Sequence, residues 1–159
     1  MANSLAVGLG EIQISRNPQD VLVAFGLGSC VGVGIFDPVL RLGGLLHAVL
    51  PTMNNKDDNP AKYVDCGIKL LLEQLINLGA VKQRMVVRVA GGANILTAPA
   101  MSSFDIGSRN VNAARDTMKQ LFLKVVNEEV GGHTGRTVRL YIADGRMTIR
   151  MMGGQEREF

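Results

Sequence analysis

Cys30 and His47 lie at the ends of two apolar runs, 31–36 and 42–50, which the turn signal Asp37-Pro38 joins into a hairpin. With Asp37 opposite Leu40, Cys30 falls directly across from His47, where opposed Cβ atoms are about 4.5–5.5 Å apart. Shifting the register by two residues leaves the pair as diagonal neighbours on one face. Shifting it by one sends them to opposite faces and separates them. A thiol beside an imidazole is the apparatus of acyl transfer at an amide or ester. The histidine takes the thiol proton and later returns it to the leaving group, and an imidazolium neighbour lowers the thiol pKa.

The flanking glycines sharpen this picture. Cys30 shares its strand face with Gly32 and Gly34, while Val31, Val33 and Ile35 occupy the other face. Glycine inside a strand marks close approach by a ligand or another backbone, so a vacancy is expected beside the thiol. Gly26 and Gly28 leave the preceding backbone bare. Peptide N–H groups around Ser29 and Cys30 are then free to face a developing oxyanion, which makes Gly28 and Ser29 candidate substrate-binding positions. A plainer explanation stands beside this one, since cysteine and histidine in buried strands also serve simply as packing. A phosphate cradle needs a helix after the glycine turn, and here a strand follows. Cys66 reads as incidental. His133 in "GGHTGR" reads as a turn residue without spaced metal ligands, and "GGAN" (91–94) as a loop, with an anion nest as the alternative.

The elements that must carry the pair follow from periodicity. Strands are expected at 5–14 (interrupted by Gly8 and Gly10), 21–25, 31–36 and 42–50, followed by a polar loop at 51–60. Val64, Ile68, Leu71, Leu72 and Leu75 keep helical spacing within 61–78, and Gly79 stops that helix. A strand at 84–90 and a long loop at 91–105 come next. A second helix begins near Ser108, with Val111, Ala114, Met118, Leu121 and Phe122 as its buried stripe. Strands at 124–130, 137–143 and 146–151 complete the chain, the last two joined by a two-residue Asp144-Gly145 turn. Residues 152–159 are expected to form a flexible tail. The sum is one α/β domain over 1–159: a layered α/β sandwich of mixed, mainly antiparallel strands with two main helices.

Composition sets the outer limits. The chain has 159 residues, of which 47% are apolar, with no tryptophan and two cysteines, so the core is aliphatic and needs no disulfide or metal to hold it. No apolar run reaches the length of a membrane span, and the N-terminus lacks the basic start of a secretory signal, so a cytoplasmic protein is expected. A net charge of +3 with 4% aromatics and scattered arginines argues against nucleic-acid binding.

Six segments in order, "GLGSCVGV", "GGLLHAVLP", "KYVD", "RVAGGANI", "IGSRNV" and "GGHTGRTVRLYI", resemble the chemoreceptor glutamine deamidases, the CheD family. The resemblance covers nearly the whole chain. It implies deamidation of selected receptor glutamines to glutamate with release of ammonia, Cys30 as nucleophile and His47 as general base, and no cofactor or metal. It also implies a fold similar to the catalytic domain of cytotoxic necrotizing factor toxins. The implied partners are the chemoreceptor cytoplasmic domain as substrate and the phosphatase CheC. One position departs from the family pattern. The threonine six residues before the cysteine, the family's orienting group for the histidine, is here Ala24. The candidate substitute is then a backbone carbonyl, that of Ala24 itself, or another side chain, that of Ser29 or Asn94. The alternative is a weakly active or non-catalytic module that binds receptor or CheC helices.

Overall fold

The structure, a computed structural model, describes residues 2–55, 58–95 and 105–159. Among the described residues, ten strands form two five-stranded sheets. The first sheet has the order β1 (Asn3–Ala6), β3 (Asp20–Leu27), β8 (Arg136–Tyr141), β9 (Met147–Met151), β10 (Arg157–Glu158). The second has the order β2 (Glu11–Ser15), β5 (Leu42–Ala48), β4 (Val31–Asp37), β6 (Val86–Gly91), β7 (Val125–Val130). Among the described residues β1–β3 and β6–β7 pair in parallel and the other neighbours antiparallel. The layered, mainly antiparallel α/β architecture expected from the sequence is therefore present.

Two cores make the layers. Between the sheets lie Leu22, Ala24, Leu27, Leu45, Val138, Leu140, Met147 and Ile149. On the outer face of the second sheet, Val31, Val33, Ile35, Leu42 and Leu46 pack against α1 (Val64–Asn77) and α2 (Ile106–Gln120). The central strand β4 is buried along its whole length because both of its faces are covered. The apolar stripe of α1 is the one its spacing predicts: Val64, Ile68, Leu71, Leu72 and Leu75 are all buried. Gly79, at φ +102°, follows the helix where a side chain would be strained.

Local chemistry overrides several sequence expectations. The strand expected at 5–14 is two strands in different sheets. Val7 still donates to the Val23 carbonyl (2.8 Å) beside β3, and the chain then crosses through Gly10 at φ +70° into β2. The Asp144-Gly145 turn is wider than two residues, since Leu140 pairs with Met147. Phe122 leaves the expected stripe: α2 ends at Gln120, Phe122 takes φ +55°, and its exposed ring lies 5.5 Å from the Lys82 ammonium. The expected tail turns back, with Arg157 and Glu158 pairing with Ile149 and Thr148 and Phe159 buried at its end. Most of the loop expected at 91–105 lies outside the described residues.

The glycines of β4 serve packing between the sheets. A Cβ on Gly34 would stand 2.3 Å from Met147 Sδ, and one on Gly32 would stand 3.0 Å from Leu27 Cδ1. The vacancy expected beside the thiol is thus filled by the opposing sheet along 32–34. The close approach that glycine signals here is that of another layer rather than a ligand.

Candidate active site

The β4–β5 hairpin sets the relation of Cys30 to His47. Gly32 pairs with His47 and Asp37 with Leu42, which is the register that leaves Cys30 and His47 diagonal on one face. The directly opposed register is not formed because Asp37 builds a longer turn. Its carboxylate accepts the N–H groups of Val39 (3.0 Å) and Leu40 (3.3 Å) and pairs with Arg84 at 2.7 Å, while Arg41 closes the loop at φ 51°. Both side chains lie on the inter-sheet side, at the end where β4 begins. Cys30 is half-buried against the inter-sheet core, and His47 is buried.

The imidazole is held from the strand crossover. His47 Nδ1 bonds the Val7 carbonyl at 2.9 Å, so Nδ1 carries the proton and Nε2 keeps its lone pair. Nε2 is buried and has no hydrogen-bond partner among the described residues. The crossover also grips the main chain, since the Gly10 N–H donates to the His47 carbonyl (2.8 Å). Glu11, paired with His47 across β2 and β5, closes the turn by accepting the Gly8 N–H at 2.6 Å. The orienting group is therefore a backbone carbonyl, but that of Val7. Among the described residues the ring bonds none of the candidates named from the sequence. Ala24 is enclosed in the inter-sheet core, the Ser29 carbonyl accepts from Asn110, and Asn94 bonds the 132–133 turn through its N–H and carbonyl while its side-chain Oδ1 is buried without a partner among the described residues.

Three successive carbonyls are pinned around the cysteine. Gly28 accepts from the Ala93 N–H (2.8 Å), Ser29 from Asn110 Nδ2 (2.8 Å) and Cys30 from the Gly92 N–H (2.8 Å). Of the "GGAN" amides, those of Gly92 and Ala93 are thus spent on the cysteine segment and that of Asn94 on the Gly132 carbonyl (2.8 Å), which removes the anion-nest alternative. Gly91 is required there, because at φ +107° a Cβ would stand 2.2 Å from the Cys30 carbonyl oxygen. Gly91→Ala is expected to cost on the order of 2 kcal/mol and to displace the Cys30 backbone, measurable as a lower melting temperature together with lost turnover. Behind this loop, the Gly131 N–H donates to Gly91, and buried Arg136 holds the 131–134 turn through the carbonyls of Glu129 (2.7 Å), Gly131 and Thr134. Sequence reasoning assigned roles to neither Arg136 nor Asn110. A lone polar residue in an amphipathic element carries no periodic signal.

Burial governs both ionisable groups. It pushes the Cys30 thiol above the ordinary cysteine range, with the residue's own N–H working the other way. Burial likewise pulls His47 below the usual imidazole value, against the opposing pulls of the Val7 carbonyl and the Glu11 carboxylate. The expectation of a thiol lowered by imidazolium is not met. Burial thus favours the neutral form of both groups.

A family model described as CheD chemotactic sensory transduction matches residues 49–151. The probable chemoreceptor glutamine deamidase CheD of Symbiobacterium thermophilum is 40% identical over 157 residues, covering 96% of this chain and 95% of that protein. The chemoreceptor glutamine deamidase CheD of Thermotoga maritima is 38% identical over 151 residues, covering 95% and 94%. The chain belongs to the CheD family. As a CheD-family member it holds alanine where the threonine was expected, and its imidazole is nevertheless fixed. Ala24→Thr is accordingly expected to give no more than about a twofold gain in any Cys30-dependent rate. Extra volume at a fully enclosed site should cost about 1–3 kcal/mol, checked by steady-state kinetics and thermal melting.

Proposed function

We propose that this protein deamidates glutamine side chains of chemoreceptors to glutamate, with Cys30 as nucleophile and His47 as general base and acid. The observation that carries this is the His47 ring: its tautomer is set by Val7, and its Nε2, on the face that Cys30 shares, is a buried lone pair without a partner among the described residues. In the reaction, Nε2 takes the Cys30 proton as sulfur attacks the carboxamide carbon. The carbonyl oxygen becomes an oxyanion, and the imidazolium then protonates the departing amine so that ammonia leaves a thioester. Water, deprotonated by Nε2, attacks the thioester. Its collapse returns the proton to sulfur and releases glutamate.

Backbone geometry supports Gly28 and Ser29 as the oxyanion side of the site. In a trans peptide the N–H points opposite to the carbonyl of the same unit. Anchoring the Gly28 and Ser29 carbonyls on the 92–93 loop and α2 turns the Ser29 and Cys30 N–H groups away from those anchors. Within the same proposal fall a relation to the cytotoxic necrotizing factor catalytic fold and binding of CheC in competition with receptor. Incubation with a receptor cytoplasmic domain tests the activity. Glutamine-to-glutamate conversion read by peptide mass spectrometry, with stoichiometric ammonia, is the expected result. An unmodified receptor rejects it.

A further inference from the structure

We propose that Asn110 is a positioning residue for this deamidation, holding the Ser29–Cys30 peptide so that the Cys30 N–H faces the reacting carbonyl oxygen and tying that peptide to the strand of His47. This rests on the deamidase function proposed above. Asn110 is fully enclosed on α2, and its single amide nitrogen donates twice: to the Ser29 carbonyl at 2.8 Å and to the Val49 carbonyl at 3.0 Å. Ser29 C=O and Cys30 N–H belong to one planar unit, so a bond to the first fixes the direction of the second. Val49 lies two residues beyond His47, just past the end of β5. One side chain therefore links the two main-chain segments that carry the pair, at the place where the hairpin ladder has ended.

Several observations make this more than ordinary core packing. The β4–β5 pairing stops at Val31 and Ala48, so among the recorded strand pairings none holds Cys30 to the His47 strand. The anchor is itself seated firmly. Asp105 caps α2 through the Gly107 N–H (2.8 Å), and Gly107 lies so close to the 92–93 loop that a Cβ would stand 2.4 Å from the Ala93 oxygen. The Asn110 Oδ1 is buried without a hydrogen-bond partner among the described residues, an uncompensated cost that a purely structural apolar residue would not carry. The side chain is placed to donate, and what it holds is the cysteine peptide.

The test compares Asn110→Ala with the intact protein in two assays. For receptor deamidation, kcat is expected to fall about 10- to 100-fold with KM changed no more than about twofold, as befits a misplaced oxyanion donor. The second assay follows iodoacetamide labelling of Cys30 by peptide mass spectrometry in the intact protein, Asn110→Ala, His47→Ala and the double variant. The Asn110 effect is expected to vanish in the His47→Ala background, because it acts through the pair. A kcat within twofold of the intact enzyme, or the same labelling factor in both backgrounds, overturns the proposal. If the intact protein leaves receptor unmodified, the deamidase function fails, while the labelling cycle still decides whether Asn110 positions Cys30 against His47. If Asn110→Ala does not fold, Asn110→Ser carries the same two comparisons.

Discussion

Cys30→Ala is expected to abolish receptor deamidation, with a loss of at least about 10⁴-fold, while leaving the fold intact. The size follows from chemistry: without sulfur no thioester forms, and residual rate comes only from binding and the backbone donors. The fold survives because Cys30 packs only at the margin of the inter-sheet core and is half-exposed, so shortening it opens little space. The decisive measurement is glutamate formation over hours by mass spectrometry, beside an unchanged melting curve. Equal conversion by the variant would assign the activity to another group. Cys66 supplies an internal control. It lies on α1, outside the site, and Cys66→Ala should leave turnover unchanged.

His47→Ala is expected to lower kcat by about 10³- to 10⁴-fold, since in the proposed mechanism every proton transfer passes through Nε2. The pH profile carries the sharper information. His47 works as a base only when neutral, and burial has pulled its pKa below the ordinary 6.5. The acid limb of kcat/KM should therefore lie below that value, with activity retained at pH 6.5 and lost as the ring protonates further down. On the other side, burial has raised the thiol above the ordinary 9.0. Iodoacetamide labelling of Cys30 should accordingly climb through the alkaline range rather than reach a plateau near neutrality. A plateau below pH 7 would instead demonstrate a standing thiolate–imidazolium pair and shift the proton transfer to before substrate arrival.

Much of the site was legible because strand alternation is rigid. Once 31–36 and 42–50 form a hairpin, Cys30 and His47 share a face in any even register, and the structure adopts one of these. The choice between registers was not legible, because it depends on how the Asp37 carboxylate folds the turn around its own chain and Arg84. The glycines of β4 were read correctly as a sign of close approach. The neighbour is another layer rather than a ligand: Met147 comes from a distant segment, and Leu27, though only five residues before Gly32, lies in the opposing sheet, which no local pattern shows. The Val7 carbonyl was beyond sequence reasoning altogether: every residue has such a group, and only the crossover between sheets points this one at an imidazole. Phe122 looked like core because helical phase was extended past the point where the chain turns left-handed.

That crossover has a practical corollary. An orienting group supplied by the main chain has no codon of its own, so scanning mutagenesis of side chains would miss it and would score position 24 as a defect. Its vulnerability is mechanical. Fusing a bulky partner tightly against the first eight residues should drain catalytic competence by displacing that carbonyl, whereas deleting them should also lower the melting temperature, because β1 and the buried Val7 go with them.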